Sequence, residues 1–224
     1  MKLVTQFVAS FILSMAFFGL ALFLPAGTLH YWQAWVFIAV FVPTTMFPSL
    51  YLAVKHPAAL QRRMKGGPTA ETRPVQRIVM TATVLSVVVQ LAVSAFDHRF
   101  GWSSVALPVV VLGDVLVAVG LLLAQLVIVQ NAYAAATITI EEGQPLVSSG
   151  LYGMVRHPMY LGALVMMVGT PLALDSLWGL VVLIPAWFAL AIRIGDEEKM
   201  LIAGLAGYDE YTRKVRYRML PGVW

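Results

Sequence analysis

The sequence predicts an all-α polytopic membrane protein of about six transmembrane helices, the last two forming a C-terminal hairpin. Three observations predict it. Of 224 residues, 60% are hydrophobic and 12% charged, against about a quarter charged in an average soluble domain. Apolar runs recur along the chain at lengths near the ~20 residues that cross a bilayer as a helix. Fourteen of the 15 Lys and Arg residues fall on the face that six crossings assign to both termini, with Arg99 the exception. Loops rich in Lys and Arg stay in the cytoplasm, so this face is expected to be cytoplasmic.

Residues 3–24 form the first apolar run, too long for a secretory core of roughly 7–15 residues and therefore read as a retained helix. Pro25-Ala26-Gly27 turns the chain. Residues 31–54 form the second span, opened by the interfacial aromatics Tyr31, Trp32 and Trp35, with kinks expected at Pro43 and Pro48. Residues 55–77 are a polar loop holding six basic residues, Lys2 lying on the same face. Residues 78–96 and 103–130 are the third and fourth spans, joined by a short turn with Trp102 as an anchor. Residues 131–157 form a long loop, in which Thr137-Ile138-Thr139-Ile140 alternates as a small strand hairpin would. Residues 158–174 and 177–194 make the hairpin around Asp175-Ser176, the first arm short enough to enter from one face and stop at a cavity. The tail, 195–224, is charged and aromatic. The chain thus divides into an N-terminal four-helix region, 1–130, and a C-terminal core, 131–224.

Several chemistries are excluded. Without cysteine there is no thiolate metal site, disulfide or thiol nucleophile. No pair of His at i,i+4 with a Glu suggests zinc, and no phosphate-binding glycine pattern appears. Basic residues clustered between apolar runs suit a membrane surface rather than nucleic acid. A transporter reading is disfavoured because the charges sit at one face and no inverted repeat is visible.

Chemistry concentrates at Gly150-x-Tyr152-x3-Arg156-His157-Pro158-x-Tyr160-x-Gly162. Pro158 suits the first position of a helix. His157, held extended before it, reads as the cap. The N–H groups and partial positive charge of that helix mouth favour an anion. Tyr160 faces the side of Arg156 and His157, and Gly162 permits close approach of a backbone or ligand. Ionisable groups at such a place in a membrane protein are usually kept for a site. A second cluster, Arg193-Ile194-Gly195-Asp196-Glu197-Glu198, leaves the membrane with three adjacent acids. Acids are unfavourable at a helix C-terminus, so this helix should run on toward Leu205. The third cluster runs from Tyr208 through Tyr211 to Arg218 and reads equally as an interfacial segment or a ligand cover.

These clusters, in this order, resemble the isoprenylcysteine carboxyl methyltransferase family of integral membrane enzymes. The resemblance rests on the Arg156-His157-Pro158-x-Tyr160-x-Gly162 string, Glu197-Glu198-x2-Leu201, Tyr208-x2-Tyr211 and Arg218-x2-Pro221, and covers roughly residues 130–224. The same core recurs in phospholipid methyltransferases and sterol reductases, so it implies the cofactor site better than the acceptor. It implies S-adenosylmethionine as methyl donor in a cytoplasmic cofactor pocket. His157, Tyr160, Gly162, Tyr152 and Tyr211 are expected to line that pocket, with Glu197 or Glu198 holding the cofactor's polar groups. The expected acceptor is a lipophilic or prenylated carboxylate arriving from the membrane lipid, with a phospholipid amine as the alternative. No metal is needed. Arg193, or else Arg156, is expected to orient the acceptor carboxylate through a bidentate guanidinium.

Overall fold

A computed structural model describes residues 2–64, 66, 67, 69–134, 136, 137 and 139–224, with side chains from Val8 onward. Lys65, Ile138 and the Lys2 side chain, used in the charge count and the hairpin expectation above, lie outside the described residues. The described chain is helical: α1 (Lys2–Phe18) continues through a π-helical stretch, Gly19–Phe23, into α2 (Leu24–Ala26). Then come α3 (Trp32–Lys55), α4 (Pro57–Met64), α5 (Pro74–Phe100), α6 (Leu107–Gln130), α7 (Pro158–Ala173), α8 (Trp178–Val181), α9 (Leu183–Gly204) and α10 (Tyr208–Lys214).

Five stretches are long and apolar enough to cross a membrane: Val8–Ala26, Trp32–Lys55, Pro74–Phe100, Leu107–Gln130 and Trp178–Gly204. Their outward faces carry exposed apolar side chains such as Leu13, Phe47 and Ile78, as expected where lipid replaces water. The chain is a multi-pass membrane protein. The sixth apolar helix, α7, has 16 residues, or about 24 Å at 1.5 Å per residue. It nevertheless runs from one end of the bundle to the other. At its C-terminal end the Leu174 carbonyl accepts the Tyr31 hydroxyl at 2.6 Å, and Asp175 accepts Gln33 Nε2 at 3.0 Å and the Val105 N–H at 2.6 Å. Asp97 takes Ser176 Oγ at 2.6 Å. The turns at 27–31, 101–106 and 174–177 are therefore tied together at one end. The loops at 56–73 and 131–157 and the tail gather at the other.

The N-terminal half meets the hairpin chiefly where α6 packs on α7. Small residues make the close approach possible: a Cβ on Gly120 would stand 2.5 Å from the Gly162 carbonyl oxygen, and one on Gly162 would stand 2.7 Å from that of Gly120. Both backbones occupy the space that side chains would need, the usual way helices associate in lipid. Gly113 and Gly169 repeat the contact two turns along.

Some expectations shift. The 55–77 loop contains an additional short helix, α4. Thr137, Thr139 and Ile140 form no strand. α9 does run on to a C-cap at Leu205.

Candidate active site

The junction at 150–160 is built as its sequence dictates. A 3-10 turn, Gly150–Gly153, leads to His157, which caps α7 in a partly extended conformation (φ −125°, ψ 63°) ahead of Pro158. The N–H groups of Tyr160 and Leu161 turn back to the His157 carbonyl at 3.1 and 3.2 Å. Pro158 brings no N–H, and the Met159 N–H makes no backbone hydrogen bond among the described residues.

The tail folds onto this junction. Arg156 and His157 donate their backbone N–H to the carbonyls of Tyr217 and Arg218 at 2.9 and 2.7 Å. The Arg156 guanidinium donates to the carbonyls of Val215 and Arg216 at 2.8 and 3.0 Å. Its Nε meets Glu198 Oε1 at 2.6 Å, while Arg218 Nε meets Glu198 Oε2 at 2.8 Å. His157 Nε2 lies 3.3 Å from Glu198 Oε1. Glu198 is thus a buried knot holding the tail to the mouth, with both oxygens engaged. Further out, the Tyr211 hydroxyl donates to the Tyr152 carbonyl at 2.7 Å, and Asn131 Nδ2 donates to the Tyr152 hydroxyl at 3.1 Å.

Glu197 is placed differently. Its Oε2 accepts the Tyr160 hydroxyl at 2.7 Å, and its Oε1 accepts no hydrogen bond from the described residues. Behind it, Arg193 Nε donates to the Tyr160 oxygen at 2.9 Å. The rest of the Arg193 fork goes to Gln76 Oε1 at 2.9 Å, Glu71 Oε1 at 2.9 Å and the Ala136 carbonyl at 3.0 Å.

Between mouth, tail and the 131–147 loop lies an open cleft of about 110 Å³. Tyr152, Arg156, His157, Tyr160, Glu197 and Tyr211 all line it, together with Tyr208. The Tyr208 hydroxyl is buried and has no hydrogen-bond partner among the described residues. Burial pushes the Tyr152 phenol up to about 12 and raises those of Tyr208 and Tyr211 further, so all three stay neutral donors at ordinary pH.

Three expected residues stand elsewhere. Gly162 serves the α6 backbone rather than the cleft wall. Glu198 and Arg193 lie behind the lining. Neither Arg156 nor Arg193 presents an open fork to an acceptor carboxylate, because buried carboxylates already hold both. Glu71 and Gln76 escaped the sequence reading. The available signal was Glu71's position as the lone acid of a 55–77 loop with six bases, and Gln76's place at the start of an apolar helix.

Comparison with known proteins agrees with this architecture. A family model described as phospholipid methyltransferase matches residues 108–205, beginning inside α6. The chain is 36% identical over 95 residues to the Delta(14)-sterol reductase TM7SF2 of Mus musculus, a match covering 39% of this chain but only 22% of the reductase. It is 28% identical over 165 residues to the cobalt-zinc-cadmium resistance protein CzcN of Cupriavidus metallidurans, covering 73% of this chain and 70% of that one. The structure of the eukaryotic intramembrane Ras methyltransferase ICMT, isoprenylcysteine carboxyl methyltransferase, matches 96% of this chain and 86% of that one, with a TM-score of 0.50 at 16% identity. The chain therefore has the polytopic fold of that intramembrane methyltransferase, and its α6–α9 segment matches the phospholipid methyltransferase family, in support of the resemblance read from its sequence motifs.

Proposed function

We propose that the chain transfers a methyl group from S-adenosylmethionine to a lipophilic acceptor, with a carboxylate of the prenylated or similarly apolar kind as the acceptor group. One observation supports this reading most strongly. Glu197 Oε1 and the Tyr208 hydroxyl, neither of which has a hydrogen-bond partner among the described residues, belong to residues lining one cleft at the polar end of an intramembrane bundle. That pair fits an amino-acid and nucleoside ligand. The carboxylate holds an ammonium or ribose hydroxyls by charge-assisted hydrogen bonds, and the neutral phenol donates to a carboxylate or ring nitrogen. His157 and Tyr160, ring centroids 5.7 Å apart, wall the inner side.

When bound, S-adenosylmethionine would supply a methyl on a positively charged sulfur, and its transfer to an already ionised carboxylate would release the neutral thioether S-adenosylhomocysteine with no need of a general base or a metal. The protein contributes alignment, which reaches ~7–11 kcal/mol in well-oriented reactions, and exclusion of water by the tail. Arg193 acts here by holding Tyr160, and Arg156 by holding the tail. The acceptor's apolar part enters sideways from the bilayer, and the basic end of the bundle faces the cytoplasm.

A second reading has the reductase similarity in its favour: reduction of a lipophilic substrate with a nicotinamide nucleotide in the same cleft. Purified protein in lipid vesicles, given S-adenosylmethionine with a labelled methyl, decides. The label is expected on an added apolar carboxylate. Label found only on a phospholipid amine moves the acceptor class. Absence of transfer, with a nicotinamide nucleotide bound instead, favours the reductase.

A further inference from the structure

We infer that Glu71, contributed by the N-terminal half of the chain, is a positioning residue of the cleft that acts through Arg193 and Tyr160 on Glu197. The inference deepens the methyl-transfer reading and rests on it for the ligand's identity.

Glu71 is 2% exposed and Arg193 4% exposed, and they meet at 2.9 Å. Glu71 is itself anchored, since its carbonyl accepts Arg77 Nε at 2.6 Å. A guanidinium is planar and rigid, so fixing one edge fixes where the rest of the fork points. With NH1 on Gln76 and NH2 on Glu71 and Ala136, the Arg193 Nε–H is aimed at the Tyr160 oxygen. A phenol has one proton. Because Arg193 donates to that oxygen, the Tyr160 proton goes to Glu197 Oε2, leaving Oε1 open to the cleft.

Glu71 also settles a competition. Arg193 and Glu197 are i,i+4 neighbours on α9 and would pair directly on an ordinary helix. They form no ion pair here; Glu71 is the carboxylate within ion-pair distance of Arg193. Remove that charge, and a buried guanidinium is left uncompensated, an expensive condition. Glu197 is the nearest remedy, and in taking it the carboxylate would turn away from the cleft. Glu71 therefore keeps Glu197 available.

The test is a double-mutant cycle read as affinity for S-adenosylhomocysteine. Glu71→Gln should weaken binding about ten-fold or more in the wild-type background, within the range of coupling between residues of one network. In a Glu197→Gln background the same change should have less than about a three-fold effect. Glu71→Asp, which keeps the charge, should recover much of the loss and serves if Glu71→Gln fails to fold. Equal effects in both backgrounds, or no effect of Glu71→Gln, would overturn the inference. Wild-type protein that ignores S-adenosylhomocysteine counts against the cofactor assignment instead. The link is then read without ligand from the fluorine resonance of 3-fluorotyrosine placed at 160. A shift on Glu71→Gln supports the inference, and an unmoved resonance overturns it.

Discussion

Arg193 and Glu197 stand one helical turn apart on α9 yet do not pair, because the Tyr160 hydroxyl lies between them. It accepts from Arg193 Nε at 2.9 Å and donates to Glu197 Oε2 at 2.7 Å. The wedge decides which of two adjacent glutamates is available to a ligand. Glu197 keeps an open oxygen at the cleft, whereas Glu198 is consumed by Arg156, His157 and Arg218.

Removing the wedge should therefore cost affinity. Tyr160→Phe deletes both bonds and lets Arg193 draw Glu197 out of the cleft. A hydrogen bond to a charged group is worth ~1.5–3 kcal/mol, so S-adenosylhomocysteine should bind about 10- to 100-fold more weakly by calorimetry. Unchanged affinity would show that Glu197 does not need Tyr160.

The neighbouring glutamates should separate by phenotype. Glu198→Gln leaves the buried Arg156 without its carboxylate, and breaking such a pair costs ~3–5 kcal/mol. Thermal stability should fall, and trypsin should cut the tail at Arg216 and Arg218 faster. Glu197→Gln should leave stability and tail protection near normal while weakening ligand binding. The reverse pattern would exchange their roles.

The α6–α7 contact gives a stability prediction independent of function. Gly162→Ala places a Cβ against the Gly120 carbonyl oxygen, a backbone atom with little room to give. Overpacking of this kind typically costs ~1–3 kcal/mol. A lower unfolding temperature is expected in detergent. An unaltered one would mean that the helices separate without penalty.

Sidedness is tested in this cysteine-free chain. Single cysteines at Ser148 or Glu210, both exposed at the basic end, should resist an impermeant thiol reagent added outside cells, while one at exposed Leu29 should react. Labelling at Ser148 from outside would reverse the orientation.

What the sequence could convey follows from the range of each interaction. Span positions, the capping role of His157 before Pro158 and the extension of α9 past its acids depend on local chemistry and were legible. So was the gathering of Tyr152, His157, Tyr160 and Glu197, because the motif strings carry it. The division of labour between Glu197 and Glu198 was not, since it depends on Arg218 and Arg156 arriving from other segments. Glu71 was invisible for the same reason: its partner lies 122 positions away, and no periodicity links a loop to a distant helix. Gly162 was read as allowing a backbone or a ligand to approach, and only packing identifies the α6 backbone as its neighbour.

The most direct test is a calorimetric titration of the folded protein with S-adenosylhomocysteine, wild type beside Glu197→Gln. Saturable binding to wild type is expected, weakened about 10- to 100-fold by the substitution. Well-folded wild-type protein that shows no binding heat with S-adenosylhomocysteine, yet takes up a nicotinamide nucleotide, would contradict the methyl-transfer reading.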